Sequence, residues 1–453
     1  MTILWAEQAL LAGGWAEAVR VEVDDAGRIA GVQSGAAPQG DRHAILLPAP
    51  ANLHSHAFQR AMAGLTERRG PDPRDSFWTW RQLMYRFLDR LTPDDVEAIA
   101  AFVQMEMLEA GYACNVEFHY LHHRPGGLPH DDPAEMSARI AAAARTSGIG
   151  LTLLPVLYQF GGCDRRPLGA GQIRFGNDPD GFARLVEGAR AALAGLPADT
   201  RLGVAPHSLR AVTPEGLAAA IALGDGPIHM HLAEQTAEVE EVLAARGARP
   251  TRWLLDHAPV DGRWCLIHCT QMDPAETLDL AASGAVAGLC PITESSLGDG
   301  IFDGVRFLGA GGRFGVGSDS NIRIALSEEL RTLEYSQRLR DRSRAALATA
   351  DRSTGRVLFE GAAAGGAQAA GRAAGAIAPG AWADLVALDG GAVDLQGRKG
   401  DAILDAWIFA GDDRMVRDVW AAGRHLVQDG HHIAREAITR RYARACAGLR
   451  DAL

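Results

Sequence analysis

Between residues 49 and 370, short apolar runs alternate with longer stretches of helical period, which predicts strands and helices in turn. Strand candidates are Asn115-Val116-Glu117-Phe118, Leu151-Thr152-Leu153-Leu154, Arg201-Leu202-Gly203-Val204-Ala205, Ile228-His229-Met230-His231-Leu232, Cys265-Leu266-Ile267-His268, Ala285-Val286-Ala287-Gly288-Leu289 and Phe314-Gly315-Val316-Gly317-Ser318. Alanine- and glutamate-rich segments such as Thr236 to Arg246 separate several of them and read as helices. With a further strand ending at His54, the pattern makes eight β-then-α units. About 320 residues suits an α/β fold of the (β/α)8 TIM-barrel type with some insertions.

The two ends of the chain differ from this middle. The first part carries alternating runs such as Val19-Arg20-Val21-Glu22-Val23, with turn signals at Asp24-Asp25-Ala26-Gly27 and Ser34-Gly35. Similar strands return at Ala383 to Leu388, Val416 to Trp420 and Gly423 to Val427. The expected organisation is a small β-sandwich domain built from 1–48 and 376–432, a barrel over 49–375, and a C-terminal helix over 433–453. The stretch from Gly361 to Gly380, rich in alanine and glycine, reads equally as a linker or as closely packed last helices.

The bulk properties narrow the function. The chain has 453 residues, 47% hydrophobic and 22% charged, with no long disordered tract. Its net charge is −11, from 45 basic and 56 acidic residues. That argues against nucleic acid or an anionic membrane as a main partner. A small anionic substrate stays open, because arginine and a metal can reverse the field inside one pocket. The six cysteines are dispersed and read as buried reduced thiols. The N-terminus has no basic n-region, and no apolar run reaches a membrane span without a charge. These features point to the cytoplasm.

Side chains alternate along a strand, so residues i and i+2 converge on one side. Asn52-Leu53-His54-Ser55-His56 follows the apolar run Ala44 to Pro48 and places two imidazoles at a strand end. That is half of a transition-metal site, although a strand histidine taken alone is more often a hydrogen-bonded core residue. Three further strand ends carry reactive groups: His231-Leu232-Ala233-Glu234, His268, and Asp319 within Gly317-Ser318-Asp319-Ser320-Asn321. Sites of barrel enzymes gather at these C-terminal strand ends. Three imidazoles and a carboxylate suit one divalent ion such as zinc, with a position open for water. A structural zinc would be closed by four protein ligands and would need no adjacent acid.

This pattern resembles the amidohydrolase superfamily over essentially the whole chain, including the split β-domain and the segment Ile377-Ala378-Pro379-Gly380-Ala381-Trp382-Ala383-Asp384-Leu385. The resemblance implies that His54, His56, His231 and Asp319 hold the metal. It implies that His268 contacts the metal-bound water, that Glu234 shuttles the proton, and that the chain forms a homodimer. His229 shares a face with His231, but His231 stands three residues before Glu234, as the resembling pattern requires. Cys265 and Cys269 flank His268 without a zinc–cysteine spacing and read as packing residues. Two-metal members of the superfamily typically bridge their ions with a carboxylated lysine on a middle strand. The one lysine of this chain, Lys399, lies outside the barrel. A lysine-bridged pair is therefore excluded, and the one-metal, deaminase-like branch is favoured. In that branch Asp319 and His268 would orient the attacking water and take its proton, while Glu234 protonates the departing nitrogen.

A narrower resemblance is to the formimidoylglutamate deiminase family. It is carried by Asn52 to Gly64, Trp78-Thr79-Trp80-Arg81, Pro206-His207-Ser208-Leu209-Arg210 and Leu297-Gly298-Asp299-Gly300-Ile301-Phe302. Pro291 to Ser296 departs from it: threonine is expected at 292 and asparagine just before Leu297. The resemblance implies hydrolysis of N-formimidoyl-L-glutamate to N-formyl-L-glutamate and ammonia in histidine degradation. It places Arg81, Arg210, Gln59, Tyr120 and His207 on the substrate. Arginine forks pair with carboxylates in bidentate fashion, and this substrate has two. Without the resemblance, the two arginines read as surface or helix-end residues. Two other readings stay open: a deaminase or chlorohydrolase of a nitrogen heterocycle, and a non-catalytic scaffold of the same fold.

Overall fold

Eight parallel strands close into a barrel in the computed structural model, which describes residues 1–67 and 77–451. In order they are Ala51–Ser55, Cys114–His119, Gly150–Leu157, a fourth in two short pieces (Arg201–Leu202 and Ala205–Pro206), Ile228–Leu232, Trp264–His268, Val286–Leu289 and Arg313–Val316. Each pairs in parallel with the next, and single bridges at Val204–Ile228 and Ser55–Asp319 complete the ring. Six of the eight strands are buried along their whole length, as parallel strands covered by helices must be. Leu53, Cys265, Ile267, Val286 and Cys290 form a core cluster with Ala369, so Cys265 packs as expected. Cys269 is buried as well, and its thiol faces the Leu266 carbonyl.

The first and last strands meet unusually closely. A Cβ added to Gly317 would stand 2.6 Å from the His54 nitrogen, so only glycine fits there. Asn52 Nδ2 donates to Ser318 Oγ at 2.7 Å, and the Ser318 amide donates back to Asn52 Oδ1 at 3.1 Å. Ser318 Oγ then donates to Asn321 Oδ1, whose amide donates to Ser55 Oγ at 3.1 Å. This lattice sets His54 and Asp319 side by side.

Helices on the outside start at well-formed caps. Asp273 makes a capping box with Glu276 before the helix Pro274–Ala282, and Thr92 does the same with Asp95 before Pro93–Glu109. The alanine- and glycine-rich stretch is a packed helix, Thr354–Ala369, followed by a loop. A Cβ on Gly365 would lie 1.8 Å from the Phe314 carbonyl oxygen, which is why glycine is needed at this contact.

Strands from both chain ends form one eight-stranded sheet. Thr2–Leu11, Gly14–Val23, Ile29–Gln33 and Asp41–Pro48 come from the start, and Leu385–Leu388, Val416–Ala421, Arg424–Gln428 and His431–His432 from the end. The halves join where Leu385–Leu388 runs antiparallel to Ile45–Pro48. The sheet curls over a core of Leu4, Val21, Leu46, Leu385 and Trp420, consistent with a sandwich. One element was not foreseen: the helix Asp401–Phe409, whose Trp407 ring lies 5.7 Å from that of Phe359. Arg372, wholly buried, pairs with Asp384 at 2.8 Å and with Asp199 at 3.1 Å, tying sheet to barrel. The helix Arg435–Asp451 closes the described chain, with Tyr442 stacked 3.9 Å from Phe102; residues 452 and 453 of the expected C-terminal helix lie outside the described residues. Among the described residues no helix is long and apolar enough to cross a membrane.

Candidate active site

At the C-terminal mouth of the barrel, strand ends bring four imidazoles and one carboxylate together. His54 Nε2 lies 3.1 Å from His231 Nε2 and 3.4 Å from Asp319 Oδ1, and His56 Nε2 lies 3.2 Å from the same oxygen. Ligand atoms of His54, His231, His268 and Asp319 all fall within 4.8 Å of one another. Burial drives the His54 imidazole down to about 3 and pushes His56 and His231 below the ordinary range, so all three are neutral with free lone pairs. The far nitrogens of two rings are held by carbonyls: His56 Nδ1 by Phe118 at 3.0 Å, His231 Nδ1 by His207 at 3.3 Å. Each ring thus donates its Nδ1 hydrogen outward and turns a bare Nε2 inward. The Nε2 atoms of His54, His56 and His231, gathered about one carboxylate oxygen, are placed to bind a cation between them. Four ligands about 2.0–2.1 Å from a common centre would themselves stand about 3.3 Å apart, close to the spacings here. The donor set fits a divalent ion.

His268 and Asp319 both adopt left-handed backbone, with φ of 72° and 46°, as do Ala233, Cys269 and Asn321 nearby. Such angles are uncommon outside glycine and concentrate where side chains are aimed at a site. His229 points elsewhere, its Nε2 at 2.8 Å from the Ala369 carbonyl.

A cavity of about 550 Å³ opens above the cluster. His56, His231, Glu234, His268 and Asp319 line its floor, and Gln59, Arg81, Tyr120, His207 and Arg210 its walls. His54 lies beneath, fully buried. Gln59 Nε2 donates to Tyr120 Oη at 2.7 Å, while its carbonyl oxygen is buried without a hydrogen-bond partner. Arg81 comes from the helix Phe77–Leu88 and donates to Tyr158 Oη at 2.8 Å.

Residues 45–426 match the amidohydrolase family, and residues 1–44 match the N-terminal domain of formimidoylglutamate deiminase HutF. The chain belongs to the amidohydrolase family. A formimidoylglutamate deiminase of Pseudomonas aeruginosa is 50% identical over 456 residues, covering 100% of both chains. The crystal structure of an amidohydrolase from Brucella melitensis superposes with a TM-score of 0.95 at 49% identity, covering 99% of this chain and 100% of that one. An adenosine deaminase from Xanthomonas campestris with bound zinc reaches 0.83 at 21% identity, covering 99% of this chain and 98% of that one, a likeness of fold. The buried cluster of this amidohydrolase has a donor set that could hold a metal ion.

The acid–base groups of this amidohydrolase are set by their surroundings. Burial, with Glu238 and Asp319 nearby, lifts the Glu234 carboxyl to about 7, against the opposing pull of His268. Burial also opposes a charge on His268, yet Glu234, Glu294 and Asp319 hold it well above the ordinary imidazole range. Asp319 is drawn the other way: burial raises it, but the His54 hydrogen bond and the neighbouring imidazoles keep it below the usual carboxylate range. His268 Nε2 stands 3.9 Å from Glu234 Oε1 and 3.9 Å from Asp319 Oδ2, so all three face one small volume.

Several site residues escaped the sequence reading. Glu294 accepts the His268 Nδ1 hydrogen at 3.2 Å and the Cys290 amide at 2.8 Å, and Glu238 accepts the Glu234 amide at 3.0 Å. Tyr158 also lines the cavity. It follows directly on a barrel strand, so the strand-end rule applied to aromatic residues would have found it. Glu294 sits on the helix Pro291–Leu297, and only the fold brings it to His268.

Proposed function

We propose that the chain hydrolyses N-formimidoyl-L-glutamate to N-formyl-L-glutamate and ammonia, as a cytoplasmic step of histidine degradation, using one zinc ion. The observation that carries this is the pair Arg81 and Arg210 on the wall of the cavity whose floor is the histidine–aspartate cluster. Two guanidiniums fit a substrate with two carboxylates. A planar nitrogen heterocycle such as a triazine or guanine carries no pair of carboxylates to match the two guanidiniums, which argues against that alternative. The complete ligand set argues against a non-catalytic scaffold.

In this reading His54, His56, His231 and Asp319 hold the ion, which when bound makes a water acidic enough to yield hydroxide near neutral pH. Gln59 offers its unpartnered carbonyl oxygen to an amidine N–H, and Tyr120, whose hydroxyl Gln59 contacts, fixes that end of the substrate. Arg81, Arg210 and neutral His207 bind the carboxylate end; burial, then the charges of Arg210 and Arg81, keep His207 far below the usual imidazole range. Asp319 and His268 orient the attacking water. Glu234, with a midpoint of about 7, carries a proton to the departing nitrogen at Oε1 or Oε2. The water oxygen bonds to the amidine carbon, the C–N bond breaks, and the nitrogen leaves as ammonia with the protons that the water gave up. Ammonia release should be measured on the diacid amidine, on an analogue lacking one carboxylate, and on guanine. Turnover confined to the diacid supports the reading; preference for guanine would overturn it.

A further inference from the structure

Tyr158 has no part in the scheme above, yet its surroundings give it one. The residue follows the strand Gly150–Leu157, is 2% exposed and lines the cavity. Its ring meets His207 edge to face, with centroids 4.4 Å apart, and Phe175 at 5.7 Å. Its hydroxyl oxygen receives two hydrogen bonds, from Arg81 Nη2 at 2.8 Å and Gln172 Nε2 at 2.9 Å. Neither partner can take a proton back. A guanidinium has no acceptor. The Gln172 amide is oriented by the Gly169 N–H, which donates to Gln172 Oε1 at 3.1 Å and so leaves the NH2 facing Tyr158.

A phenol accepts at oxygen and donates one hydrogen. Two donors already converge on this oxygen, and among the described residues no acceptor stands on the hydrogen. A buried donor left without an acceptor is unfavourable, so the hydrogen belongs to whatever fills the cavity. Beside it stands the positive charge of Arg81. A hydroxyl hydrogen and a guanidinium side by side select a group that only accepts, and that bears negative charge. A carboxylate meets both demands; a carboxamide would turn its own NH2 against these donors.

We propose that Tyr158 donates its hydroxyl hydrogen to one carboxylate of the substrate, next to Arg81, and that it determines the preference for an acid over an amide at that end of the cavity. Gln172 is the positioning residue, directing the phenol hydrogen away from its loop and into the cavity. The proposal rests on the diacid reading of the site.

The test uses Tyr158→Phe in the metal-loaded enzyme, which keeps the ring and its contacts with His207 and Phe175. Kinetics are measured on the diacid amidine and on its two monoamides, each carboxylate converted in turn. KM for the diacid should rise about tenfold with kcat within about twofold, as for loss of one charge-assisted hydrogen bond made equally in ground and transition states. One monoamide should show the same rise and the other none, because the contact is already gone. In an Arg81→Met background the Tyr158→Phe loss should persist. An unchanged KM, an equal loss on all three substrates, or disappearance of the effect in that background would each overturn direct donation. If the wild type releases no ammonia from the diacid, the functional reading fails separately. Glutarate binding by calorimetry then decides: about tenfold weaker binding by Tyr158→Phe supports the proposal, and equal or undetectable binding by both proteins overturns it.

Discussion

Removal of the Arg210 guanidinium tests the substrate end of the site. Arg210 is 6% exposed on the cavity wall, in the segment Pro206 to Arg210 at the end of the fourth barrel strand. A carboxylate that lost this partner would stay buried with its charge only partly matched. Truncating one member of a buried, hydrogen-bonded charge pair costs about 2–5 kcal/mol. At about 1.4 kcal/mol per factor of ten, Arg210→Ala should lower kcat/KM by about 30-fold to a few thousand-fold. The carboxylate does not react, so the loss should fall on KM and leave kcat at saturation nearly unchanged. Arg210→Lys keeps the charge and loses the planar fork, and should fall between the two. The assay is steady-state ammonia release from N-formimidoyl-L-glutamate, with bound metal measured on the same samples by atomic emission. A KM for Arg210→Ala within about threefold of wild type, at equal metal content, would remove Arg210 from the substrate.

Glu234→Gln should retain its metal and lose about 10²- to 10⁴-fold in ammonia release, since only the proton transfer is removed; near-normal release would refute the shuttle role. Arg372→Ala should destabilise the fold by about 3–5 kcal/mol in urea titration, because Asp384 would keep a buried charge without its cation, while Asp199 retains Arg424 at 2.8 Å. A change below about 1 kcal/mol would show that this network does not tie the sheet to the barrel. Glu117 supplies a pH signature. Burial raises its carboxyl from 4.5 to about 7, against hydrogen bonds from Ala57, Asn115 and Ser55. The native state therefore keeps a proton that the unfolded chain releases above about 4.5, and stability should fall as pH rises from there through about 7. In metal-free protein Glu117→Gln should flatten that slope; an unchanged slope would assign the pH dependence elsewhere.

The sequence made the barrel legible because its signal is local. Buried parallel strands read as apolar runs, and every candidate placed on a strand end arrives at the same mouth of the barrel. The His54–His56 spacing and the Glu234 offset from His231 survive folding for the same reason, since neighbours three or fewer residues apart keep their relation whatever the distant contacts do. Lys399, paired on the surface with Glu17 at 3.1 Å, could be set aside on position alone. What stayed hidden depends on contacts across hundreds of residues. Nothing local in Pro291 to Ser296 says that Glu294 will meet His268, or that Asn52 will bond to Ser318. The left-handed backbone at His268 and Asp319 carries no residue signature, because neither position is glycine. Asp401–Phe409 was missed because its apolar run, Ile403-Leu404 and Trp407-Ile408-Phe409, sits within a segment otherwise built of strands.

The most direct test of the whole account is ammonia release from N-formimidoyl-L-glutamate by protein stripped with a chelator and then titrated with zinc. Stripped protein should release none, and activity should return linearly with added zinc and saturate at one ion per chain. Zinc-saturated protein that releases no ammonia from this substrate, or stripped protein that keeps its full rate, would contradict it.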